Sequence, residues 1–214
     1  EIRKFEPDDT DAAVKIWNEV VDDGVAFPQL DDLDHESGLA FFEEQTYTGI
    51  AVDSDTNEIV GLYILHPNNV GRCGHICNAS YAVSSAHRGK QIGEFLVTDC
   101  IKRAPEFDFK ILQFNAVVAS NKAALHLYKK LGFIQLGIIP KGFLFCKQCQ
   151  SKYHSNPQGH RLFFIILQIR NGQMNHNSHK TSPAFSGSRQ PSSICKILSQ
   201  FLARLSLCVT IKMV

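Results

Sequence analysis

Apolar residues recur along the chain at two different spacings, and each spacing predicts one type of secondary structure. Spacings of three and four residues predict amphipathic helices, whereas alternation or a short apolar run predicts strands. The first helix is capped by Asp9 or Thr10 and ended by residues 22–24. The other predicted helices are residues 34–45, 89–104 and 121–131, and the predicted strands are residues 1–5, 47–53, 58–65, 76–83, 110–118 and 133–139.

The order of these elements, β-α-α-β-β-β-α-β-α-β, predicts the fold class. Runs of strands interrupted by helices are typical of a mixed α/β sheet with helices packed on both faces. Residues 66–74 are polar and rich in glycine, so we predict a loop there rather than regular structure.

Residues 87–93, His-Arg-Gly-Lys-Gln-Ile-Gly, lie between a predicted strand and a predicted helix. A glycine-bearing turn at this place directs several backbone N–H groups, and the positive end of the helix dipole, toward one point that suits a pyrophosphate. Arg88 and Lys90 add positive charge beside it. An ordinary strand-to-helix turn with two solvated cations explains the same residues equally well.

A second segment, residues 121–133, carries apolar residues on one helical face, with Asn121 placed as an N-cap and Gly132 as the stop after the helix. The pattern Arg-Gly-x-x-x-Gly, followed further along by Asn-x-x-Ala-x-x-x-Tyr-x-x-x-Gly-Phe, resembles the two main motifs of the GCN5-related N-acetyltransferase (GNAT) superfamily. Either motif alone is modest evidence. The pair in this order is specific.

The resemblance covers residues 2–145 and includes the segments 62–79, 86–89 and 114–115. They are similar to a GNAT branch found in bacteria and fungi, to which the yeast acetyltransferase of the proline analogue azetidine-2-carboxylate belongs. The resemblance implies a mixed, mostly antiparallel sheet with helices on both faces and a splayed strand pair. Gln91 stands where the superfamily usually has glycine, and its side chain could crowd a pyrophosphate. Because the yeast relative also lacks glycine there, we interpret Gln91 as a feature of the branch.

The resemblance implies acetyl-CoA as the co-substrate of an N-acetyltransferase in which the amine attacks the thioester directly. Backbone groups of the strand at 76–83 would hold the pantetheine arm, the N–H groups of the following turn would hold the pyrophosphate, and the side chains of Arg88 and Asn121 would lie beside the cofactor. The backbone groups implied are those of Tyr81, Ala82 and Val83 for the arm, and of Gly89, Lys90, Gln91, Ile92, Gly93 and Glu94 for the pyrophosphate. For Asn121, helix capping alone is the alternative.

Three further residues are candidates for the chemistry. Tyr128 matches the tyrosine with which many GNAT enzymes protonate the departing thiolate, although its place on an apolar helix face fits core packing nearly as well. Asn78 and Asn115 are amides inside otherwise apolar strands, where asparagine is disfavoured and needs partners. Both match asparagines in the site of the yeast enzyme, so we predict that they bind the acceptor; a structural hydrogen bond is the alternative.

Several weaker candidates lie on the neighbouring loops. Arg72 and Asn69 could clamp a carboxylate or simply lie at the surface, and His75 and His87 are better explained as loop histidines than as bases. The leading functional interpretation is acetylation of a small amino or imino acid. Acetylation of a protein or peptide amine and coenzyme A binding without catalysis are the alternatives.

Charge is distributed unevenly along the chain, although the formal net charge is only +1. Residues 1–60 contain 17 of the 21 acidic residues, and residues 109–214 contain none. This net charge argues neither for nor against a nucleic-acid partner, and we expect none. The acidic N-terminal part favours amines over anionic substrates or is simply solvated.

The 7 cysteines are odd in number and irregularly spaced, which is not typical of a secreted disulfide framework. Cys146, Cys149, His154 and His160 are too closely spaced for a zinc finger, and we expect no metal. The sequence shows neither a signal peptide nor an apolar run long enough for a membrane span. We therefore expect a cytoplasmic enzyme without membrane partners, and leave a homodimer open.

Composition changes after Phe145, so we predict a GNAT domain at residues 1–145 and an atypical extension at 146–214. The final acidic and aromatic strand of the superfamily is not recognisable there, although residues 161–169 could form a strand. Residues 171–193 have the composition of a disordered linker. A lineage-specific extension and an out-of-frame or intron-derived sequence both remain explanations for this part.

Overall fold

The computed structural model describes residues 1–144 and 161–169 of the chain. Seven strands and four α-helices follow one another in the order that the sequence predicts, with one strand more at the end. They are β1 (Ile2–Lys4), α1 (Thr10–Asp23), α2 (His35–Glu43), β2 (Tyr47–Val52), β3 (Ile59–Pro67), β4 (Ile76–Val83), α3 (Ile92–Arg103), β5 (Ile111–Val118), α4 (Lys122–Lys130), β6 (Ile134–Ile139) and β7 (Leu162–Gln168).

The strands form a single sheet in the order β1-β2-β3-β4-β5-β7-β6. Every neighbouring pair is antiparallel except β4 and β5, which are parallel. Two clusters of buried side chains lie on opposite faces of this sheet, because alternate residues of a strand point to opposite sides. Trp17 of α1 and Phe42 of α2 pack with Leu62 on one face, whereas Leu96 of α3 packs with Tyr63 on the other. The predicted fold class is therefore confirmed.

β4 and β5 stay together for only two residue pairs, Ile76–Ile111 and Cys77–Leu112. Beyond them the strands separate. The side chain of Asn78 accepts a hydrogen bond from the N–H of Ala79 at 2.8 Å, so this donor is satisfied without a partner strand. The register of β5 against β7 also shifts between Phe114 and Val117, as at a β-bulge. This confirms the predicted splayed pair and leaves an opening in the middle of the sheet.

The strand predicted at residues 161–169 is present as β7, and it lies between β5 and β6. The unfamiliar sequence after Phe145 suggested that the last antiparallel strand was missing. β7 is such a strand, because it is antiparallel to both β5 and β6. The sheet extends past residue 145, so the predicted domain boundary does not mark its end. The predictions for the linker at 171–193 and for the cysteine–histidine set at 146–160 lie outside the described residues.

Candidate functional site

Two adjoining cavities lie at the opening between β4 and β5. The larger cavity has a volume of about 570 Å³ and extends along α3 and α4. The smaller cavity has a volume of about 280 Å³ and lies between residues 78–81 of β4 and residues 114–118 of β5. Five residues line both cavities: Ala26, Tyr81, Asn121, Ala124 and Tyr128. A ligand in one cavity can therefore reach a ligand in the other.

The turn before α3 leaves backbone donors free. None of the N–H groups of residues 89–93 forms a backbone hydrogen bond within the described part of the chain. Gly89 and Gln91 have φ values of +83° and +63°, and this local geometry turns the chain tightly into the helix. Five free N–H groups at a helix N-terminus are the donor set that an anion such as a pyrophosphate needs.

Glu94 differs from the other residues whose N–H groups are predicted to hold the pyrophosphate. The N–H of Glu94 donates to the carbonyl of Gln91 at 3.0 Å, as expected inside the first helical turn, so it is not available to a ligand. The carboxylate of Glu94 instead accepts two 2.7 Å hydrogen bonds from Nζ of Lys130 and thereby links α3 to the end of α4.

Charge around the turn is arranged unevenly. Arg88 and Asp23 both line the larger cavity. The guanidinium of Arg88 donates a 2.8 Å hydrogen bond to the carboxylate of Asp23. The side chains of Lys90 and Gln91 are exposed. The left-handed conformation of Gln91 costs about 1–2 kcal/mol for a residue with a side chain, which is why glycine is the usual choice at such a place.

The backbone of β4 explains which of its groups can hold a ligand. The N–H of Ser84 donates to the carbonyl of Val60 at 3.0 Å, so the even-numbered residues of β4 direct their hydrogen bonds toward β3. Tyr81 and Val83 therefore face the opening, and both line the larger cavity. Ala82 is paired with Leu62 of β3 and is buried, so its backbone groups face β3 and not the opening.

Asn121 caps α4 as predicted, because its side chain accepts a hydrogen bond from the N–H of Ala124 at 3.1 Å. Gly132 follows the C-cap Leu131 of this helix, and its φ of +85° is the left-handed conformation typical of this position. Asn121 also lines both cavities, so capping does not remove it from the site.

The ring of Tyr128 packs against Phe114 at 4.6 Å and Phe133 at 5.2 Å between ring centroids. It also lines both cavities, so the core and the site both contain this side chain. Burial raises the pKa of the Tyr128 phenol above its usual value near 10. The phenol therefore stays protonated at neutral pH and keeps a proton that it can donate.

Asn78 and Asn115 both line the smaller cavity, as the prediction of a shared acceptor site requires. Oδ1 of Asn78 is occupied by the N–H of Ala79. Oδ1 of Asn115 accepts from Nε2 of Gln113 at 2.8 Å and from Nδ2 of Asn68 at 3.4 Å. Because an amide oxygen has two acceptor positions, Oδ1 of Asn115 has none left, and its amide can offer a ligand only an N–H. Asn78 can offer its N–H donors and one acceptor position.

Sequence reasoning did not single out Asn68, Gln113 and Ser120. Asn68 and Gln113 hold Asn115, and Ser120 lines the larger cavity with a buried hydroxyl that has no hydrogen-bond partner among the described residues. A polar Gln113 in an otherwise apolar strand was a usable signal. Asn68 is 47 residues away from Asn115 and gave no such signal.

The weaker candidates lie away from the cavities. His75 and Arg72 are exposed, and His87 lies 4.0 Å from the carboxylate of Glu58 and contacts Ser84. None of them lines either cavity, and neither does Asn69, whose buried Nδ2 has no hydrogen-bond partner within the described residues.

The described residues contain neither a cluster of metal ligands nor a membrane-spanning helix. No group of three or more His, Cys, Asp and Glu residues at 1–144 and 161–169 is arranged to hold a metal ion. Among the helices that the structure describes, none is long and apolar enough to cross a membrane.

Comparison with solved structures shows the same architecture in other proteins. A GCN5-related N-acetyltransferase from Kribbella flavida superposes with a TM-score of 0.68 at 28% identity, covering 79% of this chain and 97% of that chain. A GNAT superfamily phosphinothricin acetyltransferase from Sinorhizobium meliloti, solved in complex with AcCoA, superposes with a TM-score of 0.69 at 16% identity, covering 86% of this chain and 95% of that chain.

Sequence comparison agrees with the structures. The chain is 34% identical to the N-acetyltransferase aca1 of Schizosaccharomyces pombe over 113 residues. The match spans 46% of this chain and 54% of that relative, so about half of the relative's length is represented. The Acetyltransferase (GNAT) family matches residues 14–133. Since this match includes more than half of the chain, the protein belongs to the GNAT family of acetyltransferases.

Proposed function

We propose that the protein is an acetyl-CoA-dependent N-acetyltransferase that acetylates the amine of a small amino or imino acid by direct attack. The observation that carries this proposal is the pair of cavities that meet where β4 and β5 separate. The larger cavity adjoins a helix N-terminus with free N–H groups. The other is small and lined by amides. An acyl donor and an acceptor can thus be held in contact, which is the main requirement of acyl transfer.

The larger cavity suits acetyl-CoA, which supplies an activated acetyl group. The free N–H groups of residues 89–93 and the guanidinium of Arg88 would hold the pyrophosphate. The backbone of Tyr81 and Val83 offers the unpaired strand edge along which a pantetheine arm can bind. The bound AcCoA of the S. meliloti structural neighbour supports this assignment.

The smaller cavity favours a small acceptor that carries a carboxylate. Its volume of about 280 Å³ is at the low end of ligand sites, which argues against a folded protein chain as the acceptor. The N–H donors of Asn78 and Asn115 suit an anionic oxygen.

The chain's own groups then assist a reaction whose reagents are the thioester and the neutral amine. The N–H of Tyr81 faces the point at which the cavities meet and can donate to the oxygen that becomes negative during attack. As the C–N bond forms and the C–S bond breaks, the attacking nitrogen loses one proton to solvent. Tyr128, whose pKa is raised by burial, lies at the same place and can give its proton to the departing thiolate. The phenol then regains a proton from solvent.

Thiol release from acetyl-CoA, measured across amino acids, imino acids, peptides and simple amines, tests the proposal. We expect acceptor-dependent release that is greatest with a small amino or imino acid and weak with the same compound as its carboxamide. Preferential turnover of peptides would favour the protein-acetylating alternative. Binding of coenzyme A without turnover of any acceptor would show that the protein binds the cofactor but does not catalyse this reaction.

A further inference from the structure

Asn68 does not line the smaller cavity, but its side chain is hydrogen-bonded to that of Asn115, which does. Nδ2 of Asn115 donates to Oδ1 of Asn68 at 2.6 Å, and Nδ2 of Asn68 lies 3.4 Å from Oδ1 of Asn115. The two side-chain amides therefore face each other in a reciprocal pair. This pair links the loop after β3 to the part of β5 that has already separated from β4.

The position of Asn68 is itself fixed by the sheet. Its backbone N–H donates to the carbonyl of Ile76 at 2.8 Å, which continues the β3–β4 ladder by one more bond. Gln113, which is buried, adds a second donor to Oδ1 of Asn115 at 2.8 Å. Three of the four hydrogen-bonding positions of the Asn115 amide are thus occupied by Asn68 and Gln113, and a single N–H remains for a ligand.

We infer that Asn68 is a positioning residue that holds the Asn115 amide with its free N–H toward the acceptor, and that it thereby determines the preference for acceptors with a carboxylate. This inference rests on the proposed function. Without Asn68, the Asn115 amide loses its partner on Nδ2 and can rotate about its side-chain bonds. Its oxygen then becomes able to face the cavity, where it repels an anionic oxygen instead of binding it.

The experiment is a double-mutant cycle with Asn68→Ala, Asn115→Ala and the combined variant, measured on the best amino or imino acid from the acceptor screen and on its carboxamide. We expect Asn68→Ala to lower kcat/KM for the carboxylate acceptor about tenfold, the equivalent of one hydrogen bond, chiefly through acceptor KM. The KM for acetyl-CoA and the rate with the carboxamide should change much less. Because Asn68 acts through Asn115, adding Asn68→Ala to Asn115→Ala should cause no further loss.

Val70→Ala is the matched control, because Val70 lies on the same loop and its side chain is 80% exposed. Asn68→Ser is the second variant if Asn68→Ala does not fold. The serine hydroxyl is too short to contact both atoms of the Asn115 amide, so an intermediate loss is expected.

The possible outcomes separate this inference from the proposed function. Additive losses in the cycle, an equal loss on the carboxamide, or a parallel loss of acetyl-CoA affinity in an active enzyme would overturn the role of Asn68 alone. An unmutated protein that acetylates no acceptor would overturn the proposed function, and the role of Asn68 with it.

Discussion

Replacing Gly93 with glutamate is expected to abolish coenzyme A binding and leave the fold intact. Gly93 lines the larger cavity in the first turn of α3, and a Cβ there would meet nothing closer than Cδ2 of Leu127 at 4.0 Å. The side chain can therefore be accommodated, but its carboxylate would lie where the pyrophosphate is expected. Two like charges about 4 Å apart repel by about 4 kcal/mol at an effective dielectric constant of about 20, roughly a thousandfold in Kd.

Two variants at the same position separate charge from bulk. Gly93→Ala adds only a methyl group in open space and should bind coenzyme A nearly as well as the unmutated chain. Gly93→Gln has the size of glutamate without its charge and should lose less affinity than Gly93→Glu. Isothermal titration calorimetry gives the affinities and thermal unfolding confirms folding. Unchanged affinity in folded Gly93→Glu would show that the turn at 88–94 does not hold the pyrophosphate.

Asn78→Ala and Asn115→Ala should each lower kcat/KM for the best acceptor by about 2–4 kcal/mol, or roughly 30- to 1000-fold. Both side chains line the smaller cavity and neither lines the larger one, so the affinity for coenzyme A should stay nearly constant. Steady-state kinetics at saturating acetyl-CoA, with calorimetry on the same samples, measures both quantities. Full turnover in both variants would show that these asparagines are structural.

The two substitutions should differ in their effect on stability. Asn115→Ala leaves Asn68 and Gln113 without a shared partner, whereas Asn78→Ala removes only the acceptor of the Ala79 N–H. An unpaired buried polar group costs about 1–3 kcal/mol, so Asn115→Ala should lower the free energy of unfolding more. If either variant lost stability and coenzyme A binding together, its amide would be a structural hydrogen-bonding group and not an acceptor ligand.

Element positions could be predicted from the sequence because each has a clear apolar period. β4 was predicted at the residues where it occurs, Ile76–Val83. The helix predicted at 89–104 begins later, at Ile92, since Gly89 and Gln91 adopt left-handed conformations that a helix does not contain. The N–H groups that stay free belong to residues 89–91, which precede the helix, and to Ile92 and Gly93 in its first turn.

Strand pairing and side-chain partners could not be predicted in the same way. Ala82 was assigned to the cofactor with Tyr81 and Val83, because the sequence of one strand does not show which side its N–H groups face. That choice follows from the pairing of β4 with β3. The insertion of β7 between β5 and β6, and the contact of Asn68 with Asn115, likewise join residues far apart in the chain that no local pattern connects.

The most direct test of the account is a crystal structure of the protein with coenzyme A and the best acceptor. We predict the pyrophosphate on the N–H groups of residues 89–93, the pantetheine arm along the free edge of β4 at Tyr81 and Val83, and the acceptor carboxylate against Asn78 and Asn115. The acceptor amine should then lie beside the thiol, where the two cavities meet. A cofactor bound outside the larger cavity, or an acceptor whose amine points away from the thiol, would contradict the account.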